Sequence, residues 1–521
     1  MPRLTRRRFL ASSAAWVLSG CGRGEGSAPS ASAEASTFRH GVASGDPLAD
    51  RVVLWSHVTE PTAAAAGAAV RVSWQVARDP EFLELAARGT ALAEAADGYT
   101  VKVDVGGLAP GTSYHYRFHA QGAFSPVGRT RTLPVGSPER VRLAACSCAN
   151  YPQGYFNAYR RIAAREDLDA VLHLGDYLYE YADGVYGDGA ELGRHPEPSH
   201  EIVSLDDYRV RHAFYKRDPD LQELHRHHPV IAVWDDHESA NNAWRDGAEN
   251  HQPETEGPWS ERRQAAMRAY LEWMPVRARW AKPGAPRVIH RSFRFGDLAE
   301  LFMLDTRLEG RDVQLAGDDP RLADPARSLL GAEQERWLLE GLSASRRDGV
   351  AWQVLGQQVM LAPLALPGQP PYTDAWDGYP AARARLLDHV AQAGIRDLVV
   401  LSGDIHSSWA LELAPTPFDP ARYDPATGRG SLGVELVAPA VSSTPLASFP
   451  RALEAYRDAL ATRPHLRFLD LKERGYLLLD LDRERARAEW WFVDTVTRRS
   501  DAERRGGALA TQRGTGHLAP A

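Results

Sequence analysis

Side chains that could bind metal ions follow four apolar, strand-like segments of the chain. In chain order they are Cys148, Asp176, Tyr179, Asp235, Asp236, His237, Asn242, Asp404 and His406. Taken singly, a cysteine is more often a small buried hydrophobe, a strand-end aspartate a helix N-cap, and a histidine a hydrogen-bonded member of the core. Those roles do not explain four clusters at one edge of a sheet. The pattern therefore predicts a site for two or more cations.

The donor types indicate which cations and which chemistry. A thiolate from Cys148 and a phenolate from Tyr179 are both anionic when bound, which suits trivalent iron better than magnesium. The oxygen donors of Asp236, Asn242 and Asp404 are of the hard kind that calcium or magnesium prefers. In a site of this type one cation lowers the pKa of a bound water and another takes up charge on phosphoryl oxygens. The residues thus indicate metal-assisted attack on phosphorus.

An alternation of strands and helices that begins near Arg140 positions these clusters. Apolar runs predict strands at 141–145, 170–174, 230–234, 299–304, 352–355 and 398–401, and helical spacing predicts helices at 155–166, 333–342 and 381–392. Such a pattern favours a sheet covered on both faces, with ligands bound beyond the carboxyl ends of its strands. We therefore expect an α/β (α+β) catalytic domain over residues 136–498, with helices flanking its sheets.

The preceding region, residues 37–135, has a different pattern. Apolar and polar residues alternate over 52–58, 70–76, 101–105 and 114–118, with Gly and Pro turns between these runs. Period-two alternation at short intervals is typical of an antiparallel β-sandwich. The run 108–114 resembles the corner of a fibronectin type III module, in which a tyrosine hydroxyl caps a turn. We expect an all-β, fibronectin- or immunoglobulin-like N-terminal domain.

The first 21 residues predict an export signal rather than part of the fold. Arg6 and Arg7 precede a short apolar stretch, as in a twin-arginine signal, and about ten apolar residues are too few to span a bilayer. Leu18-Ser19-Gly20-Cys21 matches the pattern before a lipidated cysteine, although the Ala/Ser/Gly-rich linker 22–36 could instead contain a cleavage site. We expect the twin-arginine machinery to export the protein to the periplasm or cell surface, either anchored through Cys21 or secreted.

The overall composition is that of an ordinary soluble globular chain. With 61 Lys+Arg against 68 Asp+Glu, a net charge of -7 over 521 residues does not predict a nucleic-acid-binding surface. The three cysteines, Cys21, Cys146 and Cys148, cannot form a disulfide framework. We expect a monomer, and a flexible tail over the Gly-, Arg- and Ala-rich residues 499–521.

The motifs of the chain, taken in sequence order, resemble those of the PhoD-type alkaline phosphatases of the calcineurin-like metallophosphoesterase superfamily. The resemblance covers nearly the whole chain after the signal, and its motifs are residues 38–47, Ser147-Cys148, residues 173–181, residues 234–238, Leu304-Asp305-Thr306-Arg307 and residues 402–406. Ser147-Cys148 stands where the superfamily usually has Asp-x-His. The resemblance implies the metallophosphoesterase sandwich fold.

It also implies trivalent iron, Fe(3+), paired with calcium, Ca(2+). Carried over by position, the iron ligands are Cys148, Tyr179 and His406, the calcium ligands are Asp236, Asn242 and Asp404, and the bridging carboxylate is Asp176. His237 stands in the place of the superfamily's histidine, a candidate acid toward the leaving group. Asp235 is an additional carboxylate. Arg160, on the helix after the cysteine strand, could face the phosphate or lie on the surface.

Two features depart from the family pattern. Ala149 follows the cysteine where glutamine is common, and Cys146 lies two residues before Cys148. On a strand this spacing puts both sulfurs on one face, so either cysteine could face the metal. The match of Ser147-Cys148 to the family motif favours Cys148.

The sequence leaves two functions of different classes open. The first is an exported hydrolase of small phosphate esters or of phosphodiester-containing polymers or lipids, in which a metal-bound hydroxide attacks phosphorus in line. The second is a surface-tethered metal-binding or adhesive protein with an inactive phosphatase-like domain. Because His237 and all four ligand clusters are intact, the hydrolase is favoured. The Gly-rich, charged segment 182–201 is expected to form a lid that decides between monoesters and diesters.

Overall fold

The computed structural model of the protein describes residues 37–521 except 60–66, 281–286, 366–369 and 457–458. Residues Thr37–Ala521 form one compact unit. The predicted signal and linker, residues 1–36, lie outside the described residues, so the twin-arginine signal and the lipid site at Cys21 stay predictions. Within the part of the chain that is described, no helix combines the length and apolar character needed to cross a bilayer.

The larger of two central sheets has ten strands. At its centre the strands Val141–Cys146, Ala170–His173 and Pro229–Ala232 run parallel, and each is fully or almost fully buried. Burial on both faces explains their near-continuous apolar sequences. Beyond Pro229–Ala232 the sheet continues through Val42–Gly45, Arg51–His57 and Thr100–Gly106, and beyond Val141–Cys146 through Gly475–Leu481, Arg485–Val493, Glu503–Gln512 and Leu518–Pro520.

The second central sheet has seven strands, in the order Arg291–Phe295, Ala299–Met303, Trp352–Gly356, Leu398–Ser402, Gly433–Val437, Ser408–Glu412 and Leu466–Asp470. Its four strands from Ala299–Met303 to Gly433–Val437 are parallel. Side chains of both central sheets, among them Leu143, Val171 and Val354, belong to one hydrophobic core. The two sheets therefore form the predicted sandwich.

Helices cover the outer faces of this sandwich. They span Asn157–Ala163, Gly189–Leu192, Leu205–Tyr215, Pro219–His227, Pro253–Glu256, Trp259–Trp273, Ala332–Arg347, Pro380–Gln392, Pro450–Tyr456 and Ala459–Thr462. Leu338 and Leu386, on the two long helices after residue 330, share a second core with Leu355 of the seven-stranded sheet. Each predicted strand and helix is present, with bounds shifted by a few residues, and the predicted fold class is confirmed.

The N-terminal region is all-β and has two layers, a separate five-stranded sheet and one end of the ten-stranded sheet. One layer is a five-stranded sheet of Leu85–Ala93, Val70–Ala77, Ser113–Ala120, Ala123–Phe124 and Gly128–Arg131. It shares a core with Leu54 and Val101, which lie on strands of the ten-stranded sheet. The Tyr114 hydroxyl accepts a hydrogen bond from the Ala109 N–H at 2.9 Å, as in the predicted corner. Strands of the N-terminal region and of the catalytic region therefore belong to the same ten-stranded sheet, which crosses the predicted domain boundary between residues 135 and 136.

The prediction of a flexible tail at residues 499–521 is wrong. Glu503–Gln512 pairs with Arg485–Val493, and Leu518–Pro520 pairs with Glu503–Gln512 in turn. Gly506 and Gly507, which suggested disorder, lie against aromatic rings: a Cβ at Gly506 would come within 2.0 Å of the Phe492 ring. The glycines permit close approach of a strand to these rings, which composition alone does not reveal.

A small hairpin, Arg279–Trp280 with Arg287–Val288, completes the described strands.

Candidate metal centre

The four ligand clusters meet where the central strands of the two sheets end. Three groups of residues have ligand atoms that all lie within 4.8 Å of one another: Cys148 with Asp176 and His406, Asp176 with Asp236 and His237, and Asp235 with Asp236 and Asp404. Asp176 and Asp236 each belong to two groups. The groups therefore form one continuous cluster, in which Asp176 links Cys148 and His406 to Asp236 and His237.

The backbone at these strand ends is unusual. Five of the predicted ligands have positive φ angles, namely Cys148 (62°), Asp176 (55°), Asn242 (51°), Asp404 (65°) and His406 (52°). Left-handed backbone at residues with a Cβ costs about 1–3 kcal/mol each and tends to occur at functional sites. Close packing adds a further constraint, because a Cβ at Gly175 would lie 2.4 Å from the Asp235 Cβ.

Glu238 fastens two of the strand ends together. Its buried carboxylate accepts hydrogen bonds from the backbone N–H groups of Asp176 (3.1 Å), Tyr177 (2.6 Å) and Asp235 (2.8 Å). Three donors on one carboxylate offset part of the cost of its burial, which still raises the pKa of Glu238 to about 7. The side chain thereby fixes the backbone from which two of the predicted ligands project.

At one end of the cluster, Tyr179 joins the groups predicted to bind iron. Its hydroxyl donates to Asp176 Oδ2 at 2.9 Å and lies 3.1 Å from His406 Nε2, while the Ser443 hydroxyl donates to it at 2.8 Å. Burial, followed by the charge of Asp176, raises the pKa of Tyr179 and of Cys148. Both groups therefore need a nearby cation to become anionic ligands.

The two neighbouring cysteines have different surroundings. Cys148 has its sulfur among the ligand atoms of Asp176 and His406. Cys146 is buried in the hydrophobic core, with its sulfur 3.6 Å from the Leu172 carbonyl. The expectation that both sulfurs share one face does not hold, because the strand ends at Cys146 and Cys148 already has left-handed backbone. The structure thus brings Cys148 to the site and leaves Cys146 in the core.

At the other end, oxygen atoms dominate. Asp236 Oδ2 accepts from the Asn242 N–H at 2.6 Å, and the Asn242 side-chain amide donates to Glu249, which leaves the amide oxygen as a possible ligand. Asp176 Oδ1, Asp235 Oδ2 and Asp236 Oδ1 are buried without a hydrogen-bond partner among the described residues. Buried carboxylate oxygens without donors are costly unless a cation lies beside them. The donor set therefore fits metal ions.

Arg307 is a part of the site to which the sequence assigned no role. Its fully buried guanidinium donates to Asp235, to Asp404 Oδ1 at 2.8 Å and to both oxygens of Asp374 at 2.8 Å. Arg311 also binds Asp374. Arg307 follows the strand Ala299–Met303 as the predicted ligands follow theirs, so its position at a strand end was a usable signal. Asp374 lies in a loop and carried no such signal.

His237 is oriented by a carboxylate. Its Nδ1 lies 2.7 Å from Glu180 Oε2, and its ring stacks on Tyr179 with centroids 4.2 Å apart. Burial alone would lower the pKa of His237, but the charges of Asp236 and Glu180 outweigh burial and raise it. With Nδ1 held by Glu180, Nε2 is the nitrogen available for proton transfer.

The cluster opens into a cleft of about 250 Å³. Asp176, Asp236, His237, Asn242, Asp404 and His406 line it, and so does Tyr186 from the segment predicted to be a lid. The Tyr186 hydroxyl lies 3.5 Å from His406 Nδ1. The segment 182–201 thus contributes Tyr186 to the lining of the cleft, and its role as a lid that selects substrates stays a prediction.

Arg160 does not lie in this cleft. Its guanidinium pairs with Asp220 at 2.9 Å and Asp501 at 3.2 Å, and it lines a separate surface depression with Glu223 and His227. The helix Asn157–Ala163 directs Arg160 toward the neighbouring helix Pro219–His227 instead of the strand ends. The prediction that Arg160 faces a phosphate is therefore not supported, and the alternative of a surface arginine describes it.

Comparisons with known proteins agree with this architecture. A family model described as PhoD-like phosphatase matches residues 143–490, and one described as PhoD-like phosphatase, N-terminal domain, matches residues 24–134. Alkaline phosphatase D of Bacillus subtilis (strain 168) is 36% identical over 473 residues, which cover 88% of this chain and 78% of that protein. A solved structure of PhoD is 33% identical with a TM-score of 0.82, and the match covers 95% of this chain and 93% of that one.

Proposed function

The chain belongs to the PhoD-like phosphatase family and is a phosphatase, and we propose that it hydrolyses phosphomonoesters, phosphodiesters or both at an iron–calcium centre. The observation that carries the proposal is the continuity of the three ligand groups through Asp176 and Asp236. The buried oxygens of Asp176, Asp235 and Asp236 that have no hydrogen-bond donor among the described residues support it, because a nearby cation would offset the cost of burying them.

In this proposal Cys148, Tyr179 and His406 would hold iron, Asp236, Asn242 and Asp404 would hold calcium, and Asp176 would contact both. When bound, the metal ions supply positive charge that lowers the pKa of a water and stabilises charge on the phosphoryl oxygens. Thiolate and phenolate donors favour a trivalent ion at the first position, and oxygen donors favour calcium at the second.

His237 would hold the proton that the leaving group receives. Glu180 accepts from Nδ1 and keeps the ring in one orientation, so that Nε2 presents its proton toward the cleft. Stacking against Tyr179 and Tyr186 restrains the ring further. Arg307 would hold Asp235 and Asp404 in place by charge-assisted hydrogen bonds.

The decisive test is Asp176→Asn. Because Asp176 would contact both ions, we expect this variant to lose iron and calcium together and to lower kcat by at least about a hundredfold, as expected for loss of metal binding. Hydrolysis of p-nitrophenyl phosphate and bis(p-nitrophenyl) phosphate with and without added calcium, beside metal analysis of the purified protein, measures this.

A matched control is Asp220→Asn, which removes a carboxylate that pairs with Arg160 and Arg499 outside the cleft. We expect it to keep both metals and its activity. An Asp176→Asn enzyme with normal turnover would contradict the two-metal proposal. Wild-type protein that retains iron and calcium but hydrolyses neither ester would instead support the inactive metal-binding alternative.

We also propose export by the twin-arginine route with lipidation at Cys21. The support is the pair Arg6 and Arg7 before the apolar stretch, and the Leu18-Ser19-Gly20-Cys21 pattern. Replacing Arg6 and Arg7 by lysines should keep the precursor in the cytoplasm, and Cys21→Ala should move the exported protein from the membrane fraction to the soluble one. Unchanged export in the first variant, or unchanged fractionation in the second, would refute the corresponding step.

A further inference from the structure

Seven apolar or aromatic side chains of the described residues line the cleft. Ile405 is buried, and the other six, which are at least partly exposed, we call the aromatic rim. They are Tyr181, Tyr186, Tyr372, Leu446, Phe449 and Tyr456. Phe449 is 44% exposed and Tyr372 38% exposed, although large apolar side chains are usually buried. Exposed aromatic groups that surround a polar cleft are typical of a surface that binds a ligand.

The rim is directly attached to the metal cluster. The Tyr372 hydroxyl donates to Asp404 Oδ2 at 3.2 Å, and the Leu446 N–H donates to the His406 carbonyl at 3.4 Å. Tyr186 reaches His406 Nδ1 at 3.5 Å. A group attached to a phosphorus at the cluster would therefore extend between rim side chains.

The charge of the cleft restricts what that group can be. Among the described residues that line it, none is a lysine or an arginine. Arg307, which donates to Asp404, is fully buried and does not line the cleft. A second phosphate or another anionic group would thus find no lysine or arginine at the rim, and the protonated side chain beside it, His237, is already paired with Glu180. A neutral, flat, apolar group would instead cover the exposed rings and remove them from water.

We propose that the aromatic rim is a subsite for the organic group of the substrate, and that it selects phosphate esters of neutral, flat, apolar alcohols over those of small or anionic ones. This inference rests on the proposed phosphatase site and specifies its substrate class. Phe449, as the most exposed member of the rim, contributes to selection between esters and not to the chemical step.

The test compares benzyl phosphate with ethyl phosphate, and the methyl diesters of both alcohols, because the two alcohols have similar basicity and differ in the flat apolar ring. In the metal-replete wild type we expect kcat/KM to favour the benzyl ester by at least about tenfold, the order expected for burial of one ring. Phe449→Ser should reduce this preference at least about threefold, and Phe449→Leu should restore part of it. Inhibition by benzylphosphonate relative to methylphosphonate should follow the same order.

The control is Phe418→Ser. Phe418 is 42% exposed, matched to Phe449, but its ring packs on His465 and does not line the cleft. This variant should retain the wild-type preference. Equal kcat/KM for the two esters in the wild type, or an unchanged preference in Phe449→Ser, overturns the subsite and leaves the phosphatase proposal standing. Absence of turnover for every ester by protein that contains its metals overturns both.

Discussion

Cys148 and Cys146 lie two residues apart, and only Cys148 has ligand atoms around its sulfur. We predict that Cys148→Ala loses iron and at least about a hundredfold of kcat while remaining folded, because a metal ligand is removed from an otherwise intact site. Cys146→Ala is the matched control: it should lower the unfolding temperature through a small core cavity and keep its iron. Iron analysis and circular dichroism on both variants measure this, and retained iron in Cys148→Ala would contradict the ligand role.

The Arg307 guanidinium donates to three carboxylates of the site, those of Asp235, Asp374 and Asp404. We predict that Arg307→Lys lowers the affinity for calcium about 10–100-fold, because a single ammonium cannot reproduce the forked contacts to Asp235, Asp404 and Asp374. Iron should be retained, because Arg307 has no hydrogen bond or ion pair with Cys148, Tyr179 or His406, the residues predicted to bind iron. Calcium titration of activity measures the effect.

Arg311→Lys is the comparison for that experiment, because Arg311 binds Asp374 but none of the predicted metal ligands. A similar loss of calcium affinity in both variants would mean that Arg307 acts through Asp374 alone. A calcium response identical to the wild type in Arg307→Lys would refute its positioning role.

The sequence predicts the members of the site where the residue directly follows a strand. Asp176 and Asp236 lie together because two parallel strands of the ten-stranded sheet end at one edge. Asp404 and His406 follow a strand of the seven-stranded sheet, so the expectation that all four clusters lie at the edge of one sheet is wrong. Asp374 lies in a loop between strand and helix, and no pattern relates a loop residue to a site. Arg160 shows what the sequence could not predict on a helix. The helix Asn157–Ala163 itself was predicted, but the direction of the Arg160 side chain depends on Asp220 of the neighbouring helix Pro219–His227.

At the scale of elements, the C-terminal strand Glu503–Gln512 depends on glycine for its fit. We predict that Gly506→Ala destabilises the protein by about 1–3 kcal/mol, because the added Cβ would lie 2.0 Å from the Phe492 ring. Gly106→Ala is the control, because a Cβ there would meet only the Arg51 guanidinium, at 3.5 Å. Urea unfolding measures the free energy of unfolding of both variants. An unchanged free energy of unfolding in Gly506→Ala would contradict the close packing of this strand and support the flexible tail that its composition suggests.

Strand existence could be predicted from periodicity, whereas strand partners could not. The runs at Arg51–His57 and Thr100–Gly106 alternate as expected for a separate sandwich, yet they pair into the ten-stranded sheet through Val42–Gly45. Alternation specifies which face of a strand is buried, but both sheets offer an apolar face. The pairing is decided by contacts between residues far apart in the sequence, which no local pattern records.

At the scale of the whole molecule, burial of neutral histidines links stability to pH. Burial lowers the pKa of His173 and of His212 from 6.5 to about 3, with a further contribution from Lys216. These histidines bind protons more readily in the unfolded chain, so their stabilising contribution is complete above pH 6.5 and is lost as the pH falls toward about 3. Each should reduce the free energy of unfolding by about 1.4 kcal/mol per pH unit in that window.

His212 is the cleanest probe of this linkage because neither ring nitrogen has a hydrogen-bond partner among the described residues, so its replacement removes titration without breaking a hydrogen bond. We predict that His212→Leu makes the free energy of unfolding less dependent on pH by about 1.4 kcal/mol per pH unit between about pH 5 and 6. Phe214→Leu, on the same helix, should change stability equally at every pH. Urea unfolding across that range measures both slopes. An unaltered slope in His212→Leu would mean that this ring is protonated, or hydrated, inside the folded protein.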